Sequence, residues 1–250
     1  MLRGIYTAAG GMVSQQIAIN SITNNMANSE TSGYKKDTAV MSPFKEHLMY
    51  YLDSSQSPKA APIGGMPYGV EVYRTDISFK QGNLEPTGGA LDLAIEGDGF
   101  FVVQAPDGIR LTRNGSFKVD AENYLVTGQG YRVLGQDGFI VVNGDNFSIE
   151  EDGRVIEDGV EIEQVMVLDF TDRSAIQKDR DGLLSAPDDL DAVVPQYKIR
   201  QGYLERSNVE MNQEMSSLLV AYRAYEANSR VFQAYDQIMQ QAVRDIGSLR

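Results

Sequence analysis

Apolar residues recur every seven positions at both ends of this chain and fall into short runs between them. In the first segment Ile5, Met12, Ile19 and Met26 keep the seven-residue interval. Leu2, Ala9 and Ile22 add to the same side, while Gln16 and Thr23 weaken a second seam position. That period predicts a helix with one apolar stripe. Gly10-Gly11 interrupts it, and each glycine costs a helix roughly 1 kcal/mol against alanine, so a weak spot is expected there. Asn28, Ser32 and Gly33 mark the end of the helix.

The last segment repeats the pattern through Met211, Leu218, Tyr225, Phe232, Met239 and Ile246. Met215 and Tyr222 supply the second seam position, which Ser229, Asp236 and Val243 continue less well. Ser207 or Asn208 can cap the start, with Glu210 complementing the helix dipole. A helix from about 208 to 246 would be roughly 58 Å long. Five heptads argue for a coiled coil or bundle, the plain alternative being an internal core helix. The coiled coil is favoured because the pattern stands at both ends and no small core covers so long a helix.

Between these ends the period changes. Leu91–Ile95, Phe100–Val103 and Phe139–Val142 are short apolar runs. They are separated by Asp107-Gly108, Asn114-Gly115, Asp137-Gly138, Asn143-Gly144, Asp152-Gly153 and Asp158-Gly159, pairs suited to tight hairpins. Many short antiparallel strands are expected. Prolines, serines and glycines in 42–70 read as an irregular connection or extended arm. The expected architecture is α+β, with long terminal helices packed as a coiled coil and a central antiparallel β domain. Its parts are an N-terminal helix over 1–33, an arm over 34–80, a β-rich domain over 81–203 and a C-terminal helix over 204–250.

Charge sharpens this division. The formal net charge is −13, and segment 81–203 alone holds 10 Lys/Arg against 23 Asp/Glu. The ends are nearly neutral and can pack side by side without repulsion. An acidic chain lacks the cationic face that nucleic acid requires, and an anionic membrane surface is disfavoured likewise. No run approaches a membrane span, and the N-terminal stretch lacks the apolar core of a secretory signal.

Candidate chemistry is thin. With no cysteine, disulfides, thiolate metal sites and cysteine nucleophiles are absent. His47 is the only histidine, and no Gly-x-Ser-x-Gly elbow accompanies it. Gly97, Gly99, Gly128, Gly130 and Gly135 complete no phosphate-binding fingerprint and read as turns. Gln177–Asp188 has part of a calcium loop, at Asp179, Asp181 and Gly182, but neither its first ligand nor flanking helices, so a polar turn is expected. Glu150-Glu151-Asp152 and Asp188-Asp189 read as solvated loops. Tyr222, Tyr225 and Tyr235 read as packing residues rather than a ligand groove. No catalytic residue, cofactor or metal is expected.

Asn24, Asn25, Met26, Ala27, Asn28, Thr31, Gly33, Tyr34 and Lys35 resemble the N-terminal signature of flagellar rod and hook proteins. Gln81–Leu84, the stretch Leu91–Phe101 with Asp92, Gly97, Gly99 and Phe100, and Thr112–Phe117 resemble that family's β domain. Gln201–Val209 and Ala224–Asn228 resemble its C-terminal segment. The resemblance covers nearly the whole chain in order. It implies a non-enzymatic rod subunit of the flagellar basal body, with the terminal helices forming an inner tube around an export channel and the β domain an outer layer. It also implies three partners: copies of the chain, other rod and hook subunits, and the flagellar type III export apparatus. The expected assembly residues are Ile5, Met12, Ile19, Met26, Met211, Met215, Leu218, Tyr222, Tyr225, Phe232 and Met239. A distal-rod member is favoured over a proximal-rod one. Readings from other classes are a secreted binding module on a coiled-coil stalk and a carboxylate hydrolase acting on the cell wall.

Overall fold

The computed structural model describes residues 2–43, 47–51, 61–66, 69–142, 147–179, 181–187 and 190–247, with 2–3, 47–51, 61–66 and 245–247 as backbone alone. Seam positions Leu2 and Ile246, the side chain of His47 and the Asn143-Gly144 pair therefore lie outside the described residues. Two compact units emerge: a helical unit of 1–26, 37–76 and 210–250, and a β unit of 27–36 and 77–209.

In the helical unit α1 spans Leu2–Ala27 and α2 spans Met211–Gly247. The 37 residues of α2 extend about 56 Å. Gly10-Gly11 does not interrupt α1. A Cβ on Gly11 would lie 2.8 Å from the Asn228 carboxamide nitrogen, and one on Gly4 would lie 2.4 Å from Cζ of Tyr235. These glycines admit side chains of α2, which accounts for residues that propensity alone disfavours. Farther along, Asn25 Nδ2 donates to Glu214 Oε2 at 3.3 Å. Each step forward on α1 is matched by an equal step back on α2, from 4/235 to 11/228 to 25/214. The helices therefore run antiparallel in one register, which sets Ala18 level with Ala221.

This register sets which residues of α2 face α1 within the subunit. The α2 positions facing α1 are Glu214, Ala221, Asn228 and Tyr235, one residue before Met215 and Tyr222. Met211, Met215, Tyr222 and Phe232 are instead 39, 52, 61 and 37% exposed, whereas Leu218, Tyr225 and Met239 are half-buried. Glu214, Ala221 and Asn228 are small or polar, so a search for apolar residues passes over them, and Tyr235 is accommodated by Gly4. Ile5, Met12, Ile19 and Met26 are all half-buried.

The described residues between 37 and 77 include two ribbons. Asp37–Pro43 pairs with Val70–Ile77, and His47–Tyr51 pairs antiparallel with Ala61–Met66. The first ribbon lies along α1, where Ser14 Oγ donates to Val70 O at 2.9 Å and Ser21 Oγ to Asp37 O at 3.1 Å.

The β unit is built around the strand Phe100–Ala105, which pairs antiparallel with Gly108–Thr112, Arg132–Val133 and Val167–Phe170. Its side chains alternate between two cores. Phe101, Val103 and Ala105 join Leu93, Ile95, Leu125, Val133, Ile140 and Ile199, while Phe100 and Val102 join Leu111, Ile176 and Leu184. Burial on both faces explains why this stretch reads as a continuous apolar run. Asp158-Gly159 forms a two-residue hairpin closed by Glu157 and Val160, with φ positive at both central residues. No helix among the described residues is long and apolar enough to cross a membrane.

Candidate functional site

Three sequence stretches far apart in the chain converge on one buried carboxylate in the β unit. After α1 the chain turns at Asn28–Thr31, where Thr31 N–H donates to Asn28 O at 3.2 Å and Tyr34 N–H to Thr31 O at 3.3 Å. Gly33 follows at φ +70°, and its N–H donates to Glu205 O at 2.7 Å. This places Lys35 inside the β unit. Its ammonium donates to Glu205 Oε1 at 2.6 Å and to Lys80 O at 2.9 Å. Gly82 N–H donates to the same Oε1 at 2.9 Å.

The other oxygen of Glu205 accepts from Arg113 Nη1 at 3.1 Å. Arg113 also donates to Ile95 O at 3.1 Å and Gly97 O at 2.6 Å, and lies 5.5 Å from the Phe100 ring centroid. The side chains of Lys35, Glu205 and Arg113 are 3, 1 and 4% exposed. Burial lowers the Lys35 amine and the Arg113 guanidinium from their ordinary values, with Glu205 acting in the opposite direction on both. Carbonyl oxygens around the two cations replace part of the lost water. Outside this group Lys178 covers the Tyr34 ring at 4.0 Å and donates to Lys35 O at 2.7 Å.

A related pair lies nearby in the β unit. Arg173 grips the Asp169 carboxylate through Nε, at 2.8 Å, and Nη2, and reaches Asp98 at 2.8 Å. Burial raises the Asp169 carboxyl, but Arg173, the Phe170 N–H and the charge of Arg113 together outweigh it and hold the group below the usual carboxylate range. The folded-state value is depressed, so the stabilisation is present above the ordinary value near 3.8 and is lost as pH falls through the folded-state one. Asp169→Asn is therefore expected to be less stable than the parent at neutral pH. Denaturant titrations should show the two converging below about pH 3.8.

The motif residues thus divide. Gly33, Gly97 and Phe100 touch Glu205 or Arg113, and the Tyr34 ring lies beneath Lys178. Asn25, 1% exposed, belongs to the helical unit, where its carboxamide also donates to Asp37 O at 2.8 Å and accepts from Asp37 N–H at 2.9 Å. Asn24 and Thr31 are exposed and Asn28 is half-buried. Gly99 is buried against Val167 and Pro195. Asp92 accepts from the Thr87 hydroxyl at 2.5 Å. Sequence reasoning quoted Lys35, Arg113 and Glu205 only inside longer motifs and gave them no role.

The remaining polar clusters are surface turns. Asp179 and Asp181 sit where Gly182 N–H donates to Asp179 O at 3.1 Å, and the Tyr131 hydroxyl donates to Asp181 at 2.9 Å. Arg180, Asp188 and Asp189 lie outside the described residues. Among the described residues no group of three or more His, Asp or Glu is placed to hold a metal ion. Glu150 and Asp152 are each 2.6 Å from Arg154, and Glu151 is 2.6 Å from Lys198, all on the surface.

Comparison with known proteins agrees with this arrangement. Three family models match: the flagellar hook protein FlgE/F/G D1 domain over residues 94–220, the flagellar basal body rod FlgEFG protein C-terminal region over 200–245, and the flagella basal body rod protein over 5–35. The chain is 34% identical to the flagellar basal-body rod protein FlgG of Borreliella burgdorferi, across 96% of this chain and 97% of that protein. It is 33% identical to the flagellar hook-basal body complex protein FlhO of Bacillus subtilis, across the full length of both. Identity to the flagellar basal-body rod protein FlgF of Rhizobium meliloti is 30%, again over both full lengths. The chain belongs to the flagellar basal-body rod protein family and is a structural subunit of the rod of the bacterial flagellar basal body.

Proposed function

We propose that this subunit builds a hollow, torque-transmitting shaft through its two terminal helices. Within one subunit α1 and α2 pack as an antiparallel coiled coil. The apolar faces they leave open are covered by copies of the same chain and by other rod and hook subunits. The supporting observation is the placement of apolar side chains. Where the helices meet, Gly4, Gly11, Asn25, Glu214, Ala221 and Asn228 are small or polar, and Tyr235 packs on Gly4. Tyr6, Val13, Leu219, Val220, Tyr222 and Val243, by contrast, are 72, 60, 61, 70, 61 and 71% exposed. Covering each such side chain is worth about 1.5–3 kcal/mol. Arg3 is the only charged residue of α1, so identical helices can approach without repulsion. Ile5, Met12, Ile19, Met26, Leu218, Tyr225 and Met239, half-buried within the subunit, form the margins of these faces.

Membership in the rod family supports the rest of the reading. The β domain forms the outer layer, the helices surround an export channel, and the flagellar type III apparatus delivers the subunit. The distal-rod type is favoured by the FlgG relative, and the full-length FlgF match supports the proximal-rod type as the second reading.

Leu219→Glu combined with Val220→Glu tests this directly. The variant should keep the far-ultraviolet spectrum and β-unit unfolding of the parent while sedimenting as a monomer at concentrations where the parent polymerises. Polymerisation equal to the parent's would exclude these faces as the contact. A discrete small oligomer of the parent would favour the stalked binding module.

A further inference from the structure

Three backbone stretches next in sequence to the helical unit, 34–36, 78–80 and 206–208, come together inside the β unit. Ser78 N–H donates to Lys36 O at 2.8 Å, and Asn208 N–H donates to Tyr34 O at 3.4 Å. The Asn208 side chain joins all three. Its Oδ1 accepts from Lys36 N–H at 2.8 Å, while Nδ2 donates to Ser78 O at 2.7 Å and Lys80 O at 2.9 Å. A carboxamide is the only short side chain offering an acceptor and two donors together. Aspartate has the same shape but no donor, and serine reaches too little. The buried cluster adjoins the same stretches, through Lys35, the Lys80 carbonyl and Glu205, the residue just before the third.

We propose that Asn208 is a clasp through which mechanical load enters the β unit. The inference rests on the reading of the subunit as part of a shaft under torque. Force arriving along any of the three stretches meets bonds made by a single side chain. Those bonds act in parallel, so no one stretch moves until several contacts yield together. A loop-like connection would instead yield one bond at a time. The carboxamide is thus a positioning group for force transmission, distinct from the apolar faces that hold subunits together.

Stretching single subunits tests the clasp. The chain has no cysteine, so Gln16→Cys and Arg223→Cys, both at exposed helix positions, give unique handles. Once the helices part, the parent β unit should resist as one block. With Asn208→Asp added, a separate extension step should precede the main event at lower force. Identical force distributions would overturn the proposal. Amide exchange on the parent gives an arm that needs no stable variant. The Lys36 amide should be protected like those of Phe100–Ala105, and rapid, loop-like exchange there would also overturn it. In Asn208→Ala the Lys36 amide should exchange about 10- to 100-fold faster, with Phe100–Ala105 unchanged. These readouts use isolated subunits, so a failure of polymerisation leaves them intact. A failed clasp likewise leaves sedimentation unchanged.

Discussion

Glu205→Ala is expected to cost the β unit about 3–5 kcal/mol, because it leaves two buried cations without their shared carboxylate. Lys35 and Arg113 are nearly inaccessible, so water cannot take over the role of Glu205 without opening the core. The Gly82 N–H loses its acceptor as well. The loss should appear as a large fall in the denaturant midpoint at neutral pH. Replacing Lys35, Arg113 and Glu205 together with apolar residues of similar volume should restore much of the stability, since a buried ion group stabilises little relative to a well-packed apolar one. A midpoint unchanged in Glu205→Ala would mean that the cluster is hydrated in solution.

Gly33→Ala is expected to be the most damaging small substitution at the exit from α1. Gly33 sits at φ +70°, where an L side chain is strained. A Cβ there would also lie 2.3 Å from the Arg113 carbonyl carbon and the Asn114 nitrogen. Backbone cannot rotate aside as a side chain would, so either Gly33 or the Arg113 segment must move. Both are part of the Glu205 assembly. The cost should be about 2–4 kcal/mol, combining strain and overpacking. Thermal unfolding of the variant measures it, and a change under about 0.5 kcal/mol would contradict the close approach.

These two substitutions fall where periodicity is silent. The heptads of α1 and α2 are local, and so is the Asp158-Gly159 hairpin, which is why both could be read along the chain. Glu205 meets Lys35 across 170 residues and Arg113 across 92. Nothing local in any of the three stretches marks a buried ion group, since charged residues in turn-rich sequence are ordinarily solvated. The packing roles of glycines are hidden for a similar reason. Gly11 reads locally as a weak spot in a helix and Asn114-Gly115 as a hairpin pair, yet Gly11 receives Asn228 and a Cβ on Gly115 would lie 1.6 Å from Leu93 O. In each case a distant partner decides why glycine is present. The family resemblance located the relevant stretches, and the geometry then showed that several of them form one structure.

The polar seam and the exposed apolar faces of the helices lead to the same physical conclusion. The helix pair meets through Gly4, Gly11, Asn228 and Tyr235 and leaves Leu219, Val220, Tyr222 and Val243 outward, where covering them is favourable. The most direct measurement uses the absence of cysteine. Val220→Cys, at a position 70% exposed in the subunit, can be alkylated in isolated protein and in purified basal bodies. Rapid modification of the isolated subunit and strong protection in the assembled rod are expected. Equal reactivity in the two states would contradict this.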